Sequence, residues 1–262
     1  MSFLNRFIRL FQPQESEDTN PSKSPKESLI FNRHDLYKAP SLIGDWPIKE
    51  ERVCVPIEGR PEHVVMTLLS QGEWLGCHSE GHLVRSIFRA LILPDLIYAN
   101  PFKGIDNDTT PYMHAIHFLV KMTSHGVVGS PYHDTTPEKF IDRMHNTIHR
   151  RLREPISGLQ TDFDAVVNRG SILTSTPVKE GVPINKFISA IHEGFWHDLL
   201  DIYAIGNGKL ASGWPDLELS DGVSFNFVEV KVRDRLTPNQ KDTIPILMDL
   251  GLKCRVIRLI RR

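Results

Sequence analysis

The spacing of apolar residues divides the chain into three parts. Over Met1–Phe11, the side chains Phe3, Leu4, Phe7, Ile8 and Phe11 share one helical face, with Arg6 and Arg9 elsewhere, which predicts an amphipathic segment at 1–11. Residues 12–40 are expected to form a disordered linker. Gln12 to Ser28 is rich in Ser, Pro, Glu and Lys, and too poor in apolar side chains to offset the entropy of folding. From about Ser41 the pattern is that of a folded domain, 41–262. A short helix is predicted over Glu62–Leu69 and a longer one over Ser79–Tyr98. In the latter, Leu83, Val84, Ile87, Leu91 and Ile92 keep helical spacing and Ser79 can cap the start. Asn100–Pro111 is a loop of Gly, Asp, Asn and Pro. Helical spacing resumes over Met113–Met122 and Pro137–Leu152, the piece around Asn168–Pro183 is irregular, and one helix is expected from Ile184 to about Ile202. The stretch from about 93 to 183 reads as a helical insertion.

After Ile202 the period changes from 3.6 to 2. In Phe225-Asn-Phe-Val-Glu-Val-Lys-Val232, strand alternation puts Phe225, Phe227, Glu229 and Lys231 on one face. Asp221-Gly-Val-Ser224 can form a four-residue hairpin loop. If Ser220 then pairs with Phe225, Asp216 lies directly opposite Glu229. Two carboxylates facing one another on an apolar sheet face are unfavourable without a cation. Mg²⁺ or Mn²⁺, hard ions that prefer oxygen, would remove the repulsion, polarise a phosphodiester and acidify a water. Lys231 could then orient or deprotonate that water and stabilise developing charge. The plainer alternative is a solvated Glu–Lys pair on an edge strand, with Asp216 starting a turn after Pro215. Downstream, Thr237-Pro-Asn-Gln240 is a capping-box pattern that opens a helix toward Leu250, with a kink expected at Pro245. Lys253–Arg262 closes the pattern as a strand.

Composition adds limits. Hydrophobic residues make up 40% and charged residues 24% of 262, as in a globular domain. The formal net charge of −1 means that any nucleic-acid binding needs a local basic face. Cys54, Cys77 and Cys254 form neither a disulfide framework nor a metal knuckle, which points to a reducing, intracellular setting. No apolar run suits a membrane span or a signal peptide, so a secreted protein is not expected. Segment 3–11 is a candidate docking element for a protein partner or a membrane surface, or, more plainly, a frayed start that packs back on its own domain. Cys77-His78-x₃-His82, His114-x₂-His117 and His145-x₃-His149 have spacings that can bind zinc, but none has an evident completing pair, and solvated or capping histidines are the commoner outcome. Arg143, Arg150, Arg151 and Arg153 form a basic run that is either a solvated helix face or a phosphate-contacting patch.

Gly213-Trp-Pro-Asp216, Val228-Glu-Val-Lys231 and Asp234-Arg-Leu-Thr-Pro-Asn-Gln240 together resemble the VRR-NUC nuclease domain of the PD-(D/E)xK superfamily, in order and spacing over about fifty residues. Val232-Arg233 departs from the Gly-Pro that usually follows the lysine. Upstream, Gly72 to Leu93, with Cys-His-Ser-Glu-Gly-His ahead of an apolar helix, resembles the Fanconi-associated nuclease family, where a His-x-Glu-Gly element supplies a metal-binding Glu. Glu80 occupies that position and is expected one residue after the helix cap, pointing along the core-facing stripe.

The resemblance implies an α/β restriction-endonuclease-like core, with a small mixed sheet flanked by helices. It implies a DNA endo- or exonuclease; flapped, forked or branched DNA in repair or processing is the expected substrate, although the SAP-type and helical-repeat domains of the larger family members are absent and their selectivity does not carry over. Glu80, Asp216, Glu229 and the Val230 carbonyl would hold Mg²⁺ or Mn²⁺, and Lys231 would position the nucleophile. Arg143, Arg150, Arg151, Arg233, Arg235, Gln240 and Lys241 are the candidate DNA contacts, although Gln240 is equally explained as a helix cap. A dimeric Holliday-junction resolvase and a non-catalytic DNA-binding adaptor with this fold remain alternatives.

Overall fold

The computed structural model describes residues 48, 50–55, 59–70, 73–98, 112, 137–170, 178, 181–205 and 210–261, all within the unit Leu36–Arg262. The segments 1–11 and 12–40, the Asn100–Pro111 loop and the Met113–Met122 helix lie outside the described residues.

Five strands form one mixed sheet. They are β1 (Glu50–Val55), β2 (Leu75–His78), β3 (Leu217–Ser220), β4 (Phe225–Lys231) and β5 (Lys253–Arg261), in the spatial order β1-β5-β4-β3-β2. β5 runs parallel to both β1 and β4, whereas β3 is antiparallel to β4 and to β2. The central strand β4 is buried almost throughout, and its alternation sorts residues between two covering layers.

On one face Val228 and Val230 join Leu217, Leu219, Ile257 and Leu259 beneath Val65 of helix α1 (Pro61–Leu69). On the other, Trp214 packs edge-on to Phe227, and Phe225 meets Phe187 of α5 (Asn185–Ala190). Val256 packs there against Ile244 of α7 (Pro238–Asp249). Helix α2 (His82–Tyr98) starts over this face, since the Val84 N–H bonds Glu218 of β3. Around α2 are α3 (Pro137–Arg151), α4 (Ile156–Gly170) and α6 (Glu193–Ile205). Leu83, Ile87, Leu91 and Ile92 of α2 are fully buried, as their spacing predicts.

This is the expected α/β class: a mixed five-stranded sheet flanked by helices, consistent with a restriction-endonuclease-like core. Two local expectations need correction. The single helix expected from Ile184 is two, because Ile191 is extended (φ −108°, ψ 122°) and the Phe195 N–H bonds His192 Nδ1 at 3.1 Å, starting α6 afresh. Buried apolar side chains continue on both sides of that break, so the pattern alone conceals it. α7 runs to Asp249 with Pro245 inside it, as the capping box leads one to expect. Helix α4, behind Pro155, lies within the expected helical insertion, whereas the short strands β1 and β2 occupy stretches for which no element was expected. β1 begins Glu-Glu-Arg, a charged sequence suited to a sheet edge rather than to an apolar alternation.

Candidate active site

The hairpin has the expected register. Ser220 pairs with Phe225 and Leu217 with Val228. Asp221 closes the loop by accepting from the N–H groups of Val223 and Ser224 at 2.8 and 2.7 Å. One step beyond the ladder, Asp216 turns its carboxylate onto the backbone of β4, where Oδ2 accepts from the Val230 N–H at 2.8 Å. Burial raises the Asp216 carboxyl above its usual range against the pull of that N–H and of Lys231, and Glu62 of α1 adds to the rise.

Glu80 reaches the same place by a different route from the one expected. Helix α2 begins at His82, so Glu80 lies in the preceding turn with φ 49° and is solvent-exposed, not on the core-facing stripe. The Ser79 and Glu80 N–H groups donate to the Asp216 carbonyl at 3.1 and 3.2 Å, which ties this turn to the hairpin. Ser79 serves as the expected cap, its Oγ accepting from the Leu83 N–H at 3.1 Å. Gly81 (φ 78°) lets the turn approach the Trp214 ring, since a Cβ there would lie 2.4 Å from it. Gly213 (φ 82°) does the same against the Asn239 carbonyl, at 2.3 Å. Both motif glycines are thus sites of close approach. The result is a cluster in which ligand atoms of His78, Glu80 and Asp216 all lie within 4.8 Å of one another. His78 was absent from the expected ligand set, although Cys77-His78-Ser79-Glu80-Gly81 carried the signal.

Glu229 is fully buried on the same side of the hairpin, outside that tight cluster. Its Oε1 receives Lys231 Nζ and Gln240 Nε2, each at 2.6 Å, while Oε2 has no partner. Burial, reinforced by Asp216, pushes its carboxyl up to about 8 despite these donors. Burial alone would lower the Lys231 ammonium, but Glu229 and Asp234 more than reverse that and hold it above its usual value. Asp234 contacts Lys231 at 3.0 Å, and the loop carrying it is fixed by Arg258, whose guanidinium donates to the carbonyls of Val232 and Asp234. Gln240 satisfies both readings at once. Its Oε1 accepts from the Thr237 N–H and completes the capping box, and its Nε2 holds Glu229. Asp234, Arg258 and Glu62 are the neighbours that sequence reasoning did not place here.

A second buried carboxylate, Glu218, shares this sheet face. It accepts from the Val84 N–H at 3.0 Å, and burial lifts its carboxyl to about 8.

The basic residues divide into two groups. Arg233, Arg235 and Lys241 are exposed on the loop after β4 and the first turn of α7, beside Lys231 and Gln240, and make no ion pair among the described residues. Those of α3 and the turn after it are engaged. Arg143 pairs with Asp95 at 2.7 Å, Arg150 with Glu154, and Arg153 with Glu193 at 3.1 Å. Arg151 departs from its expected place on the surface: it is buried, bonded to Asp162 and to the Ala90 carbonyl, because that position on α3 faces inward.

The donors fit a divalent cation. The partnerless Glu229 Oε2 and two carboxyls raised by burial mark a site short of positive charge, and the available atoms are carboxylate oxygens with one imidazole. Among the described residues no helix is long and apolar enough to cross a membrane.

The sequence matches no protein-family model and no curated protein. The fold does have solved counterparts. It is similar to the crystal structure of paFAN1 bound to 2-nucleotide 5′-flap DNA with a gap, with a TM-score of 0.54 and 15% identity over 86% of this chain. The same protein bound to 1-nucleotide 5′-flap DNA with a gap gives a TM-score of 0.51 at 15% identity. This chain spans 39% of the length of those structures, and at such identity the shared property is the fold.

Proposed function

We propose that this protein is a metal-dependent deoxyribonuclease of the VRR-NUC type that hydrolyses phosphodiester bonds in flapped, forked or otherwise branched DNA. The observation that carries this reading is the approach of Glu80 and His78 to Asp216 at the end of the hairpin where Lys231 and Gln240 hold Glu229. Its similarity in fold to a protein crystallised on 5′-flap DNA supports the choice of substrate. Asp216, Glu80 and Glu229, with the Val230 carbonyl and His78, would hold Mg²⁺ or Mn²⁺. The imidazole favours Mn²⁺ within an otherwise oxygen set. Such an ion supplies Lewis acidity toward the scissile phosphate and the attacking water.

The protein's own groups divide the remaining work. Lys231, kept as an ammonium between Glu229 and Asp234, donates to a phosphate oxygen and stabilises charge developing there. The direction of its shift favours that role over removal of a proton. Gln240 fixes the rotamer of Glu229, and Arg258 fixes the loop that sets Lys231. Arg233, Arg235 and Lys241, exposed and close in sequence to Lys231 and Gln240, would contact the phosphate backbone entering this site, with the exposed Arg143 and Arg150 as a further grip. The test is cleavage of labelled flap, fork, junction and linear DNAs with Mn²⁺, Mg²⁺ or EDTA. Mn²⁺-dependent cleavage that favours the flap or fork is expected. DNA binding without cleavage in either metal would leave a non-catalytic adaptor.

A further inference from the structure

The sequence pattern His145-x₃-His149 lacked a completing pair, and in the fold the two histidines part: His149 turns to Glu193, while His145 meets His197 of α6. There Glu193, His197 and Asp201 recur every fourth residue, so they lie along one face of the helix. His145 and His197 face each other with their Nδ1 atoms 2.8 Å apart, their rings tilted by 31° at a centroid distance of 5.0 Å. The far nitrogen of each ring is directed at a carboxylate: His145 Nε2 lies 2.9 Å from Asp201 Oδ1, and His197 Nε2 lies 3.4 Å from Glu193 Oε1. Glu193 is held in turn by Arg153 and His149, and the hydrogen bonds from Arg153, above all, lower its carboxyl to about 2, so it is a fixed anion.

Counting hydrogens shows what this arrangement suits. Each carboxylate calls for an N–H on the Nε2 that faces it, which uses one hydrogen on each ring. Two neutral imidazoles then present bare lone pairs at both Nδ1 atoms, pointed at each other. With the hydrogens so placed, the 2.8 Å contact calls for a third proton, one more than two neutral rings carry, or a cation that accepts both lone pairs; the alternative, a His197 N–H at Nδ1, gives up the longer 3.4 Å contact to Glu193. A carboxylate behind the ring is how proteins orient metal-binding histidines, and here two such carboxylate–imidazole pairs meet Nδ1 to Nδ1.

We propose that His145 and His197 bind one late first-row divalent ion, Zn²⁺ being the natural probe, through their Nδ1 atoms. Asp201 and Glu193 set the tautomers from behind, and the ion fastens α3 to α6. Zn–N bonds of about 2.0–2.1 Å in tetrahedral geometry separate two ligand nitrogens by about 3.3 Å, so the rings must part by about half an ångström and turn until both lone pairs meet at the ion. Both histidines are about one-quarter exposed, which gives an ion access and leaves the other positions to water. A site of two imidazoles has little affinity for Mg²⁺. This makes it chemically distinct from the carboxylate site on the sheet, and the inference does not rest on the proposed nuclease activity.

The experiment is a Zn²⁺ titration of the metal-stripped full chain against a chromophoric chelator, with millimolar Mg²⁺ present to occupy oxygen sites. The wild type and Asp216→Asn should each take up an equivalent of Zn²⁺ that His145→Gln and His197→Gln both lose. Asp201→Asn should weaken it roughly tenfold or more, because the ring loses its orienting partner. X-ray absorption at the zinc edge should report two imidazoles with light-atom ligands. Unchanged uptake in both histidine variants, or no uptake by the wild type at 100-fold excess, would overturn the proposal and leave a proton-bridged contact between helices. Circular dichroism checks that each variant folds. Should either histidine variant fail to do so, Asp201→Asn decides alone.

Discussion

Glu218 and Glu229 are both fully buried on one face of adjacent strands, both keep an oxygen without a partner, and burial lifts both to about 8. They differ in what approaches the other oxygen. Glu218 meets backbone N–H groups in the first turn of α2, Val84 foremost, with Arg85 acting on it but not bonded to it, so a neutral carboxyl suits it. Glu229 meets an ammonium and a carboxamide, with a second carboxylate near enough to raise it further. Burial and a raised pKa therefore do not identify a functional carboxylate. The company of other charged side chains separates the two.

Substitution can break that distinction. The largest effect is expected from Glu229→Gln, which should abolish metal-dependent cleavage and leave the protein folded; cleavage by this variant near the wild-type rate would remove Glu229 from the site. Next, Lys231→Ala should lower turnover by on the order of 10²- to 10⁴-fold with DNA affinity little changed, as single-turnover rates and binding isotherms would report. Glu218→Gln should spare cleavage and act on stability instead. The folded carboxyl binds its proton up to about pH 8, whereas the unfolded one releases it near 4.5. Its stabilising effect is therefore complete below pH 4.5 and declines as pH rises through 8. In EDTA, urea unfolding of Glu218→Gln should show a flatter pH dependence, with a gain at pH 9 of about a few kcal/mol at most. Loss of cleavage in a well-folded Glu218→Gln would erase the contrast with Glu229. The smallest effect is on grip. Arg235→Ala and Lys241→Ala should each reduce the log–log salt slope of DNA binding by roughly 0.9, and Arg150→Ala by less, because Arg150 is already paired with Glu154.

The hairpin was legible because its physics is local. Strand alternation from Phe225 to Lys231, the turn at Asp221-Gly222 and the capping box at Thr237 each need only neighbours in sequence. Glu80 was legible as a residue but not as a geometry. Placing it on a helical face required knowing that the turn would bend back onto Asp216 and Trp214, 136 and 134 residues later. His78, Glu62 and Arg258 enter through strand and helix placement that no periodicity encodes. Arg151 shows the reverse error: a basic run suggests a surface, yet one of its members turns inward to Asp162. The histidine pair on α3 and α6 was half visible, since one helix carried the spacing and only the packing of the other could complete it.

The parallel pairing of β1 with β5 also bears on how the protein is made. Glu50 lies beside Val256, so the first described strand has its ladder partner some two hundred residues downstream. A ribosome must synthesise nearly all of the intervening chain before that edge of the sheet can close, and contacts of such long range slow folding. Arg258, which fixes the loop behind Lys231, sits on the same late strand and pairs with Glu50 of β1. The lysine is therefore set only when the sheet closes, so a growing chain would carry Glu80, Asp216 and Glu229 well before Lys231 is held beside them.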